Sequence, residues 1–65
     1  MTPIIITMPR ELALDASFDR ERFLREEAER RGFKVSAAEV AAANLRPREP
    51  SGALAVEFEL EGVPA

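Results

Sequence analysis

The chain has 65 residues, of which 46% are hydrophobic and 32% charged, a balance typical of one globular domain spanning residues 1–65 rather than of a disordered chain. It contains no cysteine, histidine, tryptophan or tyrosine, so a disulfide framework and the commonest pairs of nucleophile and base are excluded, and we expect neither an enzyme nor a cofactor. The formal net charge of −3 is uneven, because residues 49–65 hold four glutamates and no basic residue, which argues against direct binding of nucleic acid.

A short strand is predicted at Ile4–Thr7, where β-branched residues lie between two prolines. Three consecutive isoleucines point to both sides of a strand, so we expect both sides to be covered. Pro3 and Pro9 limit its length and suit an edge position. The aliphatic run is too short for a signal peptide or a membrane span, which favours a soluble intracellular protein. Residues 10–16 are interpreted as a connection whose two leucines turn inward.

The first helix is predicted over Phe18–Arg31, with Ser17 as its N-cap and Gly32 in the left-handed conformation just after its end. Its outer face carries charged residues at the spacing that allows ion pairs along a helix. The expected pairs are Glu21 with Arg25, Glu26 with Arg30, and Glu27 with Arg31. The expected inward stripe consists of Phe23, Leu24 and Ala28, with Phe18 at its leading edge.

Residues 34–45 allow two interpretations. Ser36 followed by Glu39 matches a capping box, which favours a second helix over Ala37–Asn44. The alternative is a strand from Phe33 onward that pairs with the last strand of the chain. We favour the helix, because the alternation typical of a strand breaks twice in this segment. A DNA-binding helix-turn-helix is disfavoured, because prolines and a glutamate-rich strand follow where a recognition helix is needed.

The clearest strand follows a loop of turn-forming residues at 46–52 and ends before Gly62 and Pro64. One side of this strand is apolar and the other mostly carboxylate, because Leu54, Val56, Phe58 and Leu60 alternate with Ala55, Glu57, Glu59 and Glu61. These elements predict an α+β domain with a small, mainly antiparallel sheet packed against one or two helices. The predicted core is Ile4, Ile6, Phe23, Leu24, Val40, Leu54, Val56, Phe58 and Leu60.

The carboxylate side of the last strand is the candidate site. Alternate residues of a strand lie about 6.6 Å apart, so Glu57, Glu59 and Glu61 form a regular row of negative charge that could occupy a basic groove meant for phosphates. A half-buried strand also shows such a row to water, and that simpler interpretation stays open. Glu49 is expected to support the row, with smaller contributions from Glu11 and Asp15. Carboxylates in line along a strand diverge, so no metal site is expected.

The segments PIIITMP, SFDRERFLREEAERRG and ALAVEFELEG, in a short acidic chain without cysteine, resemble the small anti-CRISPR proteins carried by phages and mobile elements. The resemblance covers the whole chain in size and character. It implies a stoichiometric inhibitor that binds a type I CRISPR surveillance complex and keeps target DNA away, with the acidic side acting as a DNA mimic. The partner would then be a protein with a basic nucleic-acid-binding surface.

A second hypothesis keeps the same fold but changes the contact. The chain could be a small regulatory or structural subunit, similar to an antitoxin, that completes its core by forming a homodimer. The apolar side of the last strand, and not the acidic side, would then be the contact.

Overall fold

The computed structural model describes residues 1–48 and 54–65, whose strands form a three-stranded antiparallel sheet in the order β1-β3-β2. In chain order the elements are β1 (Thr2–Pro9), α1 (Arg10–Ala13), α2 (Arg20–Arg30), β2 (Phe33–Lys34), α3 (Ala37–Asn44) and β3 (Ala55–Pro64). The predicted α+β class is confirmed, with the single turn of α1 added to the two longer helices. Within the described residues, no helix has the length and apolar character that crossing a membrane requires.

The core lies between one face of the sheet and the helices. β1 and β3 contribute every second residue to it, and each helix adds small or branched side chains. The buried residues are Ile4, Ile6, Met8, Ala13, Leu24, Ala28, Val40, Ala43, Val56, Phe58 and Leu60.

Two residues that were predicted to lie in the core are not buried. Phe23 is only half-buried, against this core and 5.8 Å from the ring of Phe18, and Leu54 is 88% exposed because it precedes the first residue of β3.

Strand β1 is twice as long as predicted because its prolines do not interrupt the ladder. The amide of Arg10 donates to the Leu54 carbonyl at 3.0 Å, continuing the register in which Met8 pairs with Val56. Even-numbered residues of β1 therefore exchange hydrogen bonds with β3. Pro3 and Pro9 occupy odd positions, where the missing N–H would point away from the sheet. β1 is an edge strand, as its prolines indicated.

Only one side of β1 is fully covered, contrary to expectation. Ile4 and Ile6 are buried, whereas Ile5 is half-buried on the opposite face of the sheet.

The connection after β1 also differs from the prediction. Residues 10–13 form α1, and of the two leucines only Leu12 packs against the core. Leu14 is 73% exposed, because it follows the single turn of α1 as its C-cap.

Helix α2 begins two residues later than predicted and uses a different cap. Asp19 is the N-cap, since its carboxylate accepts the amide three residues ahead at 3.0 Å. Ser17 instead donates its hydroxyl to the carboxylate of Asp15 at 2.7 Å, so the predicted N-cap is wrong. Gly32 has φ of +87°, which confirms the predicted left-handed residue after the helix.

The ion pairs on α2 differ from the predicted set. Arg30 pairs with Glu27, one turn back, and not with Glu26. Glu26 pairs with Arg22 at 3.1 Å. Arg31 is the C-cap of α2, and its guanidinium extends to β1, where it donates to the backbone carbonyl of Ile5 at 2.6 Å. The prediction was wrong because spacing along one helix does not show which neighbouring backbone groups are also within reach of its arginines.

The interpretation of residues 34–45 as a helix is confirmed. Ser36 caps α3, and its hydroxyl oxygen accepts the amide of Glu39 at 3.1 Å. The competing strand exists only as the two residues of β2, where Lys34 pairs with Val63. β3 in turn continues through Gly62, which was expected to end it, because Gly62 pairs with Thr2 at the start of β1.

Candidate protein-binding face

The helices leave one face of the sheet uncovered, and we call it the open face. It is formed by the residues that alternate with the buried ones along β1 and β3. From β1 come Pro3, Ile5, Thr7 and Pro9, and from β3 come Ala55, Glu57, Glu59, Glu61 and Val63. Every one of these side chains is exposed or half-buried. The open face is thus the part of the sheet that a partner could reach without displacing a helix.

Three predicted site residues lie together on the open face. Glu57, Glu59 and Glu61 occupy alternate positions of β3, and we call them the glutamate row. Glu59 is exposed, and the other two are half-buried. Their strand spacing is about 6.6 Å, at which two carboxylates in water repel each other by about 0.6 kcal/mol. A cation placed along the row would interact favourably with more than one carboxylate.

One end of the row has an internal counterion. The guanidinium of Arg48 lies 3.9 Å from the carboxylate of Glu57, with each side chain about half exposed (47% and 45%). A pair at that distance and exposure contributes little stability and leaves the carboxylate open to another cation. Among residues 1–48 and 54–65, neither Glu59 nor Glu61 forms an ion pair. Among these described residues, Glu57 is therefore the one member of the row whose carboxylate is held in an ion pair.

The strand beside the glutamate row is neutral. In the register of the sheet, Thr7 faces Glu57, Ile5 faces Glu59, and Pro3 faces Glu61. These pairs are of the type without mutual hydrogen bonds, in which cross-strand side chains come closest. No basic side chain of β1 therefore neutralises the row, and a partner would meet carboxylates next to an uncharged column of side chains.

The other predicted site residues are not part of this arrangement. Glu11 lies in α1, and Asp15 lies in the turn between α1 and α2. Ser17 donates two hydrogen bonds to the carboxylate of Asp15, and both lower the pKa of that carboxyl group. The bond from the Ser17 hydroxyl has the larger effect, and the bond from its backbone amide has the smaller one. Asp15 therefore stabilises this turn in its ionised form, an effect that is lost as the pH falls through its folded-state pKa. Glu49 lies outside the described residues.

The structure adds one carboxylate that the sequence analysis assigned only to helix capping. The carboxylate of Glu39 accepts the backbone amide of Glu61 at 2.9 Å. A shallow cavity of about 300 Å³ lies here, lined by Glu39, Glu59, Glu61, Arg46 and Arg48. The capping box predicted that Glu39 lies in the first turn of α3. It did not predict the hydrogen bond between Glu39 and Glu61, which are 22 residues apart in the sequence. The row is thus flanked by arginines and a fourth carboxylate on the side away from β1.

The hydrogen bond of Glu39 to β3 predicts a measurable loss on mutation. Because it satisfies a part-buried amide with a charged acceptor, Glu39→Ala is expected to lower the free energy of unfolding by about 1 to 2 kcal/mol. Urea unfolding followed by circular dichroism measures this. Glu39→Gln keeps an acceptor oxygen and should lose less. Equal losses for the two variants would show that the carboxylate oxygen does not stabilise β3.

The chemistry of the open face is that of binding. Carboxylates accept hydrogen bonds from arginine and lysine, and charge-assisted bonds of this kind are stronger than neutral ones. Within the described part of the chain, no three acidic side chains are grouped closely enough to hold a metal ion. Comparisons of the chain with protein-family models, with curated proteins and with solved structures found no match.

Proposed function

We propose that this protein is an inhibitor that binds a partner through the open face. The partner carries a basic surface that normally receives nucleic acid, and the glutamate row occupies that surface in place of phosphates. Binding excludes the nucleic acid by competition. The observation that carries the proposal is the position of the row, on a sheet face that none of the described helices covers.

The spacing of the carboxylates supports a role as phosphate substitutes. Duplex DNA has one phosphate per about 3.4 Å of axis on each strand, with a larger separation through space because the backbone winds. A regular row with a spacing of about 6.6 Å is of the same order. Arginine and lysine side chains placed to bind successive phosphates could therefore bind successive glutamates. Complementary charge of this kind also speeds association and makes it sensitive to salt.

A second observation disfavours the homodimer hypothesis in its original form. That hypothesis needs an accessible apolar side of β3, formed by Val56, Phe58 and Leu60. All three are buried beneath the helices of the same chain. A dimer formed through this side would have to displace those helices and lose the core that they complete. The acidic side is available in the folded monomer without any such change.

The specific partner that we propose is a type I CRISPR surveillance complex, and the contact is the basic surface that reads the protospacer-adjacent motif. This assignment comes from the likeness in size and character of the chain to small anti-CRISPR proteins. The open face supports the proposal, since three carboxylates lie side by side on β3 and β1 beside them carries no basic residue. Inhibition would be stoichiometric and would require no catalysis.

Reversing the charge of the row tests this proposal. The double variant Glu57→Lys, Glu59→Lys is expected to weaken binding to a purified type I complex by about 100-fold or more, since close charge pairs across an interface contribute several kcal/mol. Binding is measured as displacement of a labelled target duplex at several salt concentrations. The thermal melt of the variant should stay close to that of the parent protein, because Glu59 is exposed and Glu57 is half-exposed.

A matched control shows whether binding depends on where the negative charge lies or only on the net charge of the protein. Glu21→Lys with Glu29→Lys makes the same change in net charge on exposed positions of α2 and should leave displacement unchanged. Equal losses for both double variants would mean that only net charge matters. Unaltered binding by the variant of the row would contradict the electrostatic mechanism. Failure of the parent protein to displace the duplex would exclude the CRISPR partner.

A further inference from the structure

The edge of β3 away from β1 is covered in two separate places. At one end β2 pairs with it. Further along, the chain returns after α3, and Pro47 forms an antiparallel bridge with Phe58. Arg48 is then the residue opposite Glu57, and its backbone amide donates to the Glu57 carbonyl at 2.8 Å. Main-chain contacts therefore hold Arg48 beside β3.

The side chain of Arg48 shares the open face with that of Glu57. Residues directly opposite each other in an antiparallel pair point to the same side of the sheet. The side-chain contact agrees with this, because Nη1 of Arg48 lies 3.9 Å from Oε1 of Glu57. Glu57 thus has a neutral neighbour, Thr7, on one side and a cation on the other.

The second arginine beside the row has a different contact. Arg46 lines the same shallow cavity as Arg48, next to Glu59 and Glu61. Its Nε atom donates to the carbonyl of Ala42 at 3.2 Å, near the C-terminal end of α3, where a cation is favourable. Among residues 1–48 and 54–65, Arg48 is the arginine whose guanidinium lies within ion-pair distance of the glutamate row.

We propose that Arg48 is an internal competitor for the basic side chains of the partner, and that it weakens their binding by holding Glu57. This inference rests on the proposed function, since it concerns the same glutamate row. The ion pair is long and each of its side chains is about half exposed, so a guanidinium of the partner can displace Arg48 at little cost in stability. It must do so, however, against a cation that the backbone keeps in place.

This competition determines which basic surfaces bind. Displacement of Arg48 costs about the same for every ligand that uses Glu57, so it lowers the affinity of all such ligands by a similar factor. A weakly basic surface then binds too weakly to matter, whereas a surface that also engages Glu59 and Glu61 retains its binding. Arg48 is therefore an unfavourable element against wrong partners, and specificity often depends on elements of this kind.

Binding of a hexaarginine peptide tests the proposal. It is followed at low salt by the amide shifts of Glu57, Glu59 and Glu61 in the nuclear magnetic resonance spectrum of the labelled protein. Arg48→Gln is expected to bind the peptide about 3- to 10-fold more tightly than the parent protein, since removing one like charge near the contact changes affinity by this order. Arg48→Lys keeps the cation and should show little of this gain.

The glutamine variant should fold like the parent protein. Its backbone amide can still donate to the carbonyl of Glu57, and the ion pair that it loses is half exposed. Its thermal melt, measured by circular dichroism, should therefore stay close to that of the parent, so that a change in affinity reports on the contact and not on unfolding.

Arg25→Gln is the matched control, because it makes the same change in net charge at an exposed position of α2. It should change the affinity by less than about 2-fold, because its charge is screened from the row. A double-mutant cycle then locates the effect of Arg48. In a Glu57→Gln background, the gain from Arg48→Gln should be smaller by about 2-fold or more.

The possible results separate this inference from the proposed function. Equal gains in both backgrounds, or a gain no larger than that of Arg25→Gln, would overturn the role of Arg48 and leave the proposed function intact. So would a parent protein that binds the peptide as tightly as Arg48→Gln. If neither protein showed shifts along the row, the proposed function would fail as well, because the row would not bind basic side chains.

Discussion

Replacing Phe58 with alanine is expected to unfold the domain. Phe58 lies at the centre of β3, opposite Ile6, with no exposed surface. Loss of a buried phenylalanine costs about 3 to 5 kcal/mol, because the cavity is only partly filled by relaxation. A domain of this size has a total stability of about 3 to 10 kcal/mol. Urea unfolding followed by far-ultraviolet circular dichroism should show a much lower midpoint or no folded baseline.

Leu54→Ala is the matched control for this substitution. The sequence pattern assigns both residues to the same apolar side, but Leu54 is 88% exposed. Its truncation should change the free energy of unfolding by less than about 0.5 kcal/mol. If the two variants lost similar amounts of stability, the position of Leu54 outside the core would be wrong. If Phe58→Ala were as stable as the parent protein, the core itself would be misassigned.

Gly62→Val is expected to destabilise the domain by overpacking. A Cβ atom at Gly62 would lie 2.8 Å from the Cδ1 atom of Ile4 and 3.3 Å from side-chain atoms of Phe33 and Val35. The end of the isoleucine can shift, but the Cβ of Phe33 is fixed to the backbone of β2. Overpacking of a filled site costs about 1 to 3 kcal/mol, which exceeds the gain of up to about 1 kcal/mol from removing a glycine from a strand. Thermal and urea unfolding measure the difference.

A second substitution tests whether the clash is with Ile4. Ile4→Val removes the Cδ1 atom that lies closest to the new side chain, at a cost of about 0.5 to 1.5 kcal/mol on its own. Combined with Gly62→Val it should cost less than the sum of the two single changes, with a coupling of about 0.5 kcal/mol or more. Strictly additive losses would show that Ile4 is not the side chain that Gly62 accommodates.

Several patterns that depend on neighbouring residues were predicted correctly from the sequence, although the N-cap of α2 and its ion pairs were not. The alternation from Leu54 onward identified β3 and divided its residues between core and open face, with Leu54 itself as the exception. Ser36 and the alanines after it identified α3, and Gly32 identified the end of α2. In each case one local period or one cap is sufficient, because a strand or a helix repeats its orientation every two or about 3.6 residues.

The candidate site was only partly predictable. The alternation of apolar and acidic residues predicted that Glu57, Glu59 and Glu61 share one face of the strand, and in the structure they do. The same reasoning assigned Glu39 to a capping box, where its carboxylate would turn back on its own helix. In the structure that carboxylate accepts an amide of β3 instead. A local motif does not show which donor the Glu39 carboxylate accepts, because the amide of Glu61 lies 22 residues away in the sequence.

The sequence by itself determined the α+β class, the alternation of β3 and the acidic character of one of its sides. The tertiary structure decided that Arg31 reaches Ile5, that Gly62 lies inside the sheet, and that Leu54 stays outside the core. The physical reason is the range of the interactions. Periodicity and capping involve residues within one or two turns of each other, whereas the pairing of strand edges and the filling of the core depend on segments that meet only when the chain has folded.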